Sequence, residues 1–380
     1  MTTGFTRRAF AGGVAGLTLT LPFAGALALE TRARSAILID AESGAVLFEK
    51  NPDQRLPPAS MSKLMTAFVV FERLSQGLLS MEDRLPVSET AWRKGGSKMF
   101  VEVGGSVSVS DLLRGMIVQS GNDASIVLAE GLAGSEQAFV REMNEMGRQI
   151  GLTSSTFANA TGWPDPDHRM TARDLATLAR LVIERFPQYY ALYSEEEFTW
   201  NDITQRNRNP LLFRNVGADG IKTGHTREAG YCLVASAVDN GRRLILVVMG
   251  LDSPRERAEE AERLLLWGFR EFASYRLFQA GEVLEEAPVW MGDQETVPLI
   301  APTEITVNML RAARSRMGVT LIYQSPIAAP IEAGQEIAVL TVEAPDTPTV
   351  DFPIVAGRSV GEAGVVDRMV QGVTELVSGD

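Results

Sequence analysis

Hydrophobic and polar positions divide this chain into stretches of different period. Ala36-Ile37-Leu38-Ile39-Asp40 and Ala45-Val46-Leu47-Phe48-Glu49 are apolar runs of strand length joined by Ala41-Glu42-Ser43-Gly44, which predicts a hairpin. Pro57-Pro58 then precedes a long apolar run through Val70; prolines suit a helix entry and cannot continue a helix, so a helix opens near Ser60. Residues 111–134 and 135–151 carry helical spacing, with Asp111 as the expected cap of Leu112-Leu113-x-x-Met116-Ile117. Thr171 is an N-cap candidate, with Asp174 in the capping-box position. Two strands, 230–238 and 243–251, flank Asp239-Asn240-Gly241, a strong hairpin turn, and a long helix from about Ser253 to Phe272 follows. Strands at both ends with helices between them predict one antiparallel sheet covered by helices.

Beyond about Tyr275 the period changes. Short runs at 283–289, 304–309, 318–323, 336–342 and 349–354 are broken by Gly, Pro and Asp, which predicts a small all-β domain. In the tail, Val365, Val366, Met369, Val370, Val373, Leu376 and Val377 return to helical spacing along one face. The expected organisation is therefore a leader over 1–28, an α+β domain over 29–275, a sandwich-like β domain over 276–358 and an amphipathic helix over 359–380.

Composition changes this picture little. The 380 residues are 45% apolar and 22% charged, ordinary for a folded protein, and the length favours two domains. A net charge of -12 argues against nucleic acid as a partner. The first residues change it more. Arg7-Arg8-Ala9-Phe10, the apolar stretch from Ala11 to Leu27 and the small-x-small site Ala26-Leu27-Ala28 read as an export signal with a mature start near Leu29. The paired arginines resemble a twin-arginine signal. The expected location is the periplasm. The single cysteine, Cys232, lies in an apolar run and reads as a small buried strand residue. No Cys/His spacing suggests a metal, and no cofactor is expected.

Three short motifs carry the candidate chemistry. Ser60-Met61-Ser62-Lys63 places a hydroxyl and an amine one helical turn apart, so the Lys63 amine can reach Ser60. A lysine among apolar neighbours loses its charge readily and can then act as a base. Ser120-Gly121-Asn122 falls at a helix junction, where hydroxyl and amide can both point into a cleft. Lys222-Thr223-Gly224 precedes the strand at 230; a strand edge with a cation and a hydroxyl can grip a carboxylate, and Gly224 would let a ligand backbone approach. Each motif alone is an ordinary cap, turn or surface feature. Together, in this order, they resemble the serine penicillin-recognising enzymes.

The likeness narrows with Ala-Ser-Met-Ser-Lys-Leu-Met-Thr at 59–66, Ser-Gly-Asn-Asp-Ala at 120–124, Ala-Thr-Gly-Trp-Pro-Asp-Pro-Asp-His at 160–168 and Asp-Gly-Ile-Lys-Thr-Gly-His-Thr at 219–226. From about residue 33 onward the chain resembles the D-alanyl-D-alanine carboxypeptidases among the low-molecular-mass penicillin-binding proteins. That resemblance implies a β-lactamase-like catalytic domain with helices on both sides of its sheet, then a small β domain and a C-terminal helix. It implies that Ser60 is the acylated nucleophile, Lys63 its base and Ser120 a proton relay. Asn122 would hold Lys63 and the substrate amide, while Lys222, Thr223, Gly224 and His225 would bind the substrate. The substrates implied are peptidoglycan stem peptides, with β-lactams as inhibitors. His225 would line the cleft, and a Ser60–His–Asp triad is not needed beside Lys63. His168 would fix a loop.

The tail is expected to associate weakly with the outer face of the inner membrane. Arg368 is its sole basic residue and it has no aromatic one, unlike most interfacial helices. Two alternatives to the carboxypeptidase stay open at this stage: a DD-endopeptidase that cuts cross-links, and a non-catalytic peptidoglycan-binding scaffold.

Overall fold

A computed structural model describes residues 29–345 and 347–364. They divide into two compact units with the boundary at 270/271. In the first unit, β1 (Ser35–Asp40), β2 (Val46–Lys50), β3 (Ala218–Thr226), β4 (Gly230–Asp239) and β5 (Arg242–Leu251) form an antiparallel sheet in the order β2-β1-β5-β4-β3. The β4–β5 hairpin turns on Asn240 (φ 49°) and Gly241 (φ 81°), the two left-handed residues of a tight turn. β3 is an edge strand.

Helices cover both faces of the sheet. Ile37 and Ile39 of β1 join the core made with α1 (Lys63–Ser75) and with the later helix Ala172–Arg185. Leu38, between them, points the other way: a Cβ on Gly268 of the helix Pro254–Glu271 would stand 2.6 Å from Leu38 Cδ2. Every residue of β1 is buried, as a strand covered on both faces requires.

The helical run expected from 111 is interrupted. α2 (Val109–Ile117) and α3 (Asn122–Ala133) are separated by residues 118–121, where Ser120 adopts φ 65°. The cap of α2 is Ser108, not Asp111: Ser108 Oγ accepts from the Asp111 amide, and the Asp111 carboxylate accepts back from Ser108 Oγ at 2.6 Å. Asp111 is thus the third helical residue, its carboxylate bonded to the side chain of the cap. Thr171 does cap its helix, but the Asp174 carboxylate is diverted to Ser154 N and Ser155 Oγ.

The second unit is all β. A two-stranded pair, Phe272–Phe278 with Ile305–Leu310, shares a core with a six-stranded sheet that includes Val283–Trp290, Thr296–Ile300, Gly318–Tyr323, Glu336–Ala344 and Thr347–Ala356. Two of these strands are not evident in the sequence pattern. Thr296–Ile300 carries Pro298, which removes a ladder donor, and Phe272–Phe278 continues the apolar spacing of the preceding helix. Val360 and Glu362 bridge to Ile331 and Gly292, so residues 360–364 are extended where a helix was expected to have begun. The leader at 1–28 and the tail from 365 lie outside the described residues. No helix among the described residues is long and apolar enough to cross a membrane.

Candidate active site

Ser60 lies in a 3-10 turn, Ala59–Ser62, rather than in the α-helix itself; α1 begins at Lys63. The turn is tightly set. Ala59 has φ 48°, and a Cβ on Gly224 would stand 2.8 Å from Pro58 O and 3.1 Å from Met61 Cγ. Gly224 lines the cleft, yet the room left by its missing side chain is taken by Pro58. The expectation that this room serves a ligand backbone therefore gives way to a packing role: glycine lets β3 lie against the Ser60 turn.

Lys63 is 1% exposed. Its Nζ donates to Ser60 Oγ at 3.1 Å, to Asn122 Oδ1 at 2.7 Å and to the Thr161 carbonyl. Burial first, and then the neighbouring cations Lys222, Arg208 and Lys94, hold its amine well below the usual lysine range. Asn122 is fixed in turn, since its Nδ2 donates to Gly95 O at 2.9 Å and its amide to Ser97 O at 2.7 Å. The next residue, Asp123, is fully buried and accepts from the amides of Met99, Phe100 and Val101. One acid therefore ties the 95–101 loop to α3.

Ser120 is buried in its left-handed conformation, and its Oγ has no hydrogen-bond partner among the described residues. Neither has Lys222 Nζ, 2% exposed, whose pKa falls to about 7 through burial and the nearby charges of Arg208 and Arg257. Unsatisfied buried groups are costly. Ser120 lies at a cleft of about 440 Å³ lined also by Ser60, Ser97, Arg208, Thr223, Gly224, His225, Tyr231 and Arg257, and Lys222 immediately precedes Thr223 of that lining. His225 is exposed and stacks on Tyr231 with centroids 4.0 Å apart. Five of the eight motif residues named from the sequence, Ser60, Ser120, Thr223, Gly224 and His225, line one cleft; Lys63 bonds Ser60 and Asn122 behind it, and Lys222 lies near enough to depress the Lys63 pKa. Arg208, Arg257 and Tyr231 were missed. They stand in no motif, and only folding brings them to the cleft.

His168 is elsewhere, buried edge-on to Phe157, with neither ring nitrogen hydrogen-bonded to a described residue. Burial lowers its pKa to about 4. Cys232 is fully buried in β4, as its apolar surroundings suggest, and burial raises its thiol pKa to about 11. Among the described residues no His/Cys/Asp/Glu group is arranged to hold a metal.

Residues 23–253 match the family model for D-alanyl-D-alanine carboxypeptidase. The chain belongs to that family. Residues 272–362 match the C-terminal domain of penicillin-binding protein 5. The D-alanyl-D-alanine carboxypeptidase DacA of Haemophilus influenzae is 38% identical over 91% of this chain and 90% of its own. A solved penicillin-binding protein 5 from the same organism superposes with a TM-score of 0.82 at 38% identity, covering 89% of this chain and all of that one. A D-alanyl-D-alanine endopeptidase of Escherichia coli is 31% identical but spans 66% of this chain and 85% of its own. The family of serine carboxypeptidases therefore matches both units, and the endopeptidase far less of the chain.

Proposed function

We propose that this serine DD-carboxypeptidase removes the terminal D-alanine from peptidoglycan stem peptides through an acyl-enzyme on Ser60. The observation that carries this reading is the Lys63 amine, held well below the usual lysine range by burial and 3.1 Å from the Ser60 hydroxyl, beside a cleft lined by Arg208 and Arg257. Lys63 takes the Ser60 proton as Oγ attacks the carbonyl between the two D-alanines. The amides of Ser60 and His225 receive the developing oxyanion, an effect worth about 3–4 kcal/mol per donor in hydrolases. Ser120, with its free hydroxyl, passes a proton to the leaving D-alanine amine. Asn122 keeps Lys63 aimed and offers its amide to the substrate. Lys222 and Thr223 grip the terminal carboxylate, with Arg208 and Arg257 adding positive potential. Water then releases the shortened peptide.

β-Lactams would acylate the same hydroxyl. An export signal over 1–28 fits a periplasmic substrate, and the 360–380 segment is proposed to rest weakly on a membrane surface. The scaffold alternative has no use for a buried amine of lowered pKa beside a hydroxyl. The deciding experiment incubates the 29–380 chain with a peptide ending in D-Ala-D-Ala and measures free D-alanine beside a Ser60→Ala control. Release by wild type alone is expected; no release, or equal release by both, would falsify the reading. Fluorescent penicillin labelling of wild type, absent in Ser60→Ala, reports acylation separately.

A further inference from the structure

Arg208 and Arg257 line the cleft and lie near enough to Lys222 to depress its pKa. A separate segment abuts the Ser60 turn. Gly162 is pressed onto the nucleophile's turn, for a Cβ there (φ 76°) would stand 1.9 Å from Ala59 O and 2.9 Å from Ser60 N. The next residue, Trp163, is 43% exposed. Asn159 clamps its backbone, accepting from its amide at 2.9 Å and donating to its carbonyl at 3.0 Å. The indole rests on Gly95 and Gly96: a Cβ on Gly96 would stand 3.0 Å from Trp163 Cζ3 and 2.8 Å from Asn122 Nδ2. A single glycine thus separates this ring from the amide that holds Lys63. Above the ring, 5.0 Å from its centroid, sits the Lys94 ammonium. Among the described residues it has no carboxylate partner.

We propose that Trp163 and Lys94 form the subsite for the side chain of the third stem residue and favour stems whose third side chain ends in a carboxylate. This rests on the carboxypeptidase reading of Ser60. A substrate with its scissile carbonyl at Ser60 continues upstream past the Ser60 turn, which Gly162 abuts and Trp163 follows. Extended chain covers roughly 3.3–3.6 Å per residue, so the sugar-bearing end of a pentapeptide is roughly 13 Å upstream of the scissile bond. The third residue is only one step upstream of the acylated D-alanine, close enough to set its side chain on the indole. An aliphatic spacer gains apolar cover there. The ammonium, already oriented over the ring, attracts a terminal carboxylate and repels a terminal amine.

The test uses the 29–380 chain and three peptides, L-Ala-γ-D-Glu-X-D-Ala-D-Ala, with X as 2-aminopimelate, Nε-acetyl-lysine or lysine. Their third side chains end in a carboxylate, a neutral amide and an ammonium, while the scissile bond is identical. Any change that Lys94→Glu works on Lys63 therefore cancels in the ratio of kcat/KM values. Wild type should prefer the carboxylate over the ammonium peptide by about tenfold, with the neutral peptide between them. Lys94→Glu should bring that ratio below one. Trp163→Ala should cut it severalfold, and Trp163→Phe should keep most of it. A wild-type ratio near one, or a ratio unmoved by Lys94→Glu in protein that still labels with fluorescent penicillin, overturns the subsite alone. No D-alanine from any peptide overturns the carboxypeptidase reading beneath it.

Discussion

An ammonium buried without a partner is destabilising, and Lys222 has none among the described residues. Its pKa falls from 10.5 to about 7, a shift of about 5 kcal/mol between the folded and unfolded environments. Because the folded value is the lower one, the unfolded chain holds more protons between pH 7 and 10.5, and this group's contribution to stability rises with pH across that window. Lys222→Met should therefore be more stable than wild type at pH 6–7, by about 2–4 kcal/mol in chemical denaturation, while losing D-alanine release. The same value predicts that kcat/KM falls as pH rises above about 7, when the free enzyme loses the charge that grips the carboxylate. Lys63 has the opposite requirement. Its amine must be neutral, so Lys63→Arg, which cannot shed its proton, should cut penicillin labelling about 10³-fold in a protein that still folds. Such roles were legible from residue type and spacing. The depth of burial that shifts each group was not.

At the scale of elements, the catalytic geometry depends on close approaches between segments distant in sequence. Gly224→Ala would drive a methyl into Pro58 O and move β3 away from the Ser60 turn. A loss of about 1–3 kcal/mol in stability and a larger fall in D-alanine release are expected, measurable by thermal unfolding and turnover of one preparation. His168 tests the 160–168 segment in another way. Its folded pKa of about 4 lies below the unfolded 6.5, so its stabilising neutral form is present above pH 6.5 and lost as pH falls toward 4. About 3 kcal/mol should disappear over that range, and His168→Gln should flatten the urea-unfolding profile between pH 7 and 4.5. Most elements of the first unit follow from apolar period and caps. The helix start at 109 did not, because Ser108 and Asp111 are both capable caps and their reciprocal bonds decide between them. The sequence reading of His168 as a loop anchor also missed that it is packed rather than hydrogen-bonded.

Over the whole molecule, a net charge of -12 coexists with a cleft lined by cations. Net charge governs solubility, whereas the local arrangement governs which ligand enters. Raising ionic strength from about 0.05 to 0.5 M should raise KM for a peptide with a free terminal carboxylate severalfold, and Arg257→Ala should blunt that dependence. The sequence alone determined what is local or additive: the strand and helix periods of the first unit, the order of the three motifs, and the residue types able to attack, accept a proton and bind a carboxylate. Covalent connectivity and side-chain chemistry travel with the chain, so those were readable before folding. Tertiary structure alone decided that Lys63 is buried beside Ser60, that Gly224 packs on Pro58, that Arg208 and Arg257 line the cleft, and that Lys94 sits over Trp163 beside Gly96. Each of these depends on desolvation or on distances between segments remote in sequence, and no local pattern encodes either.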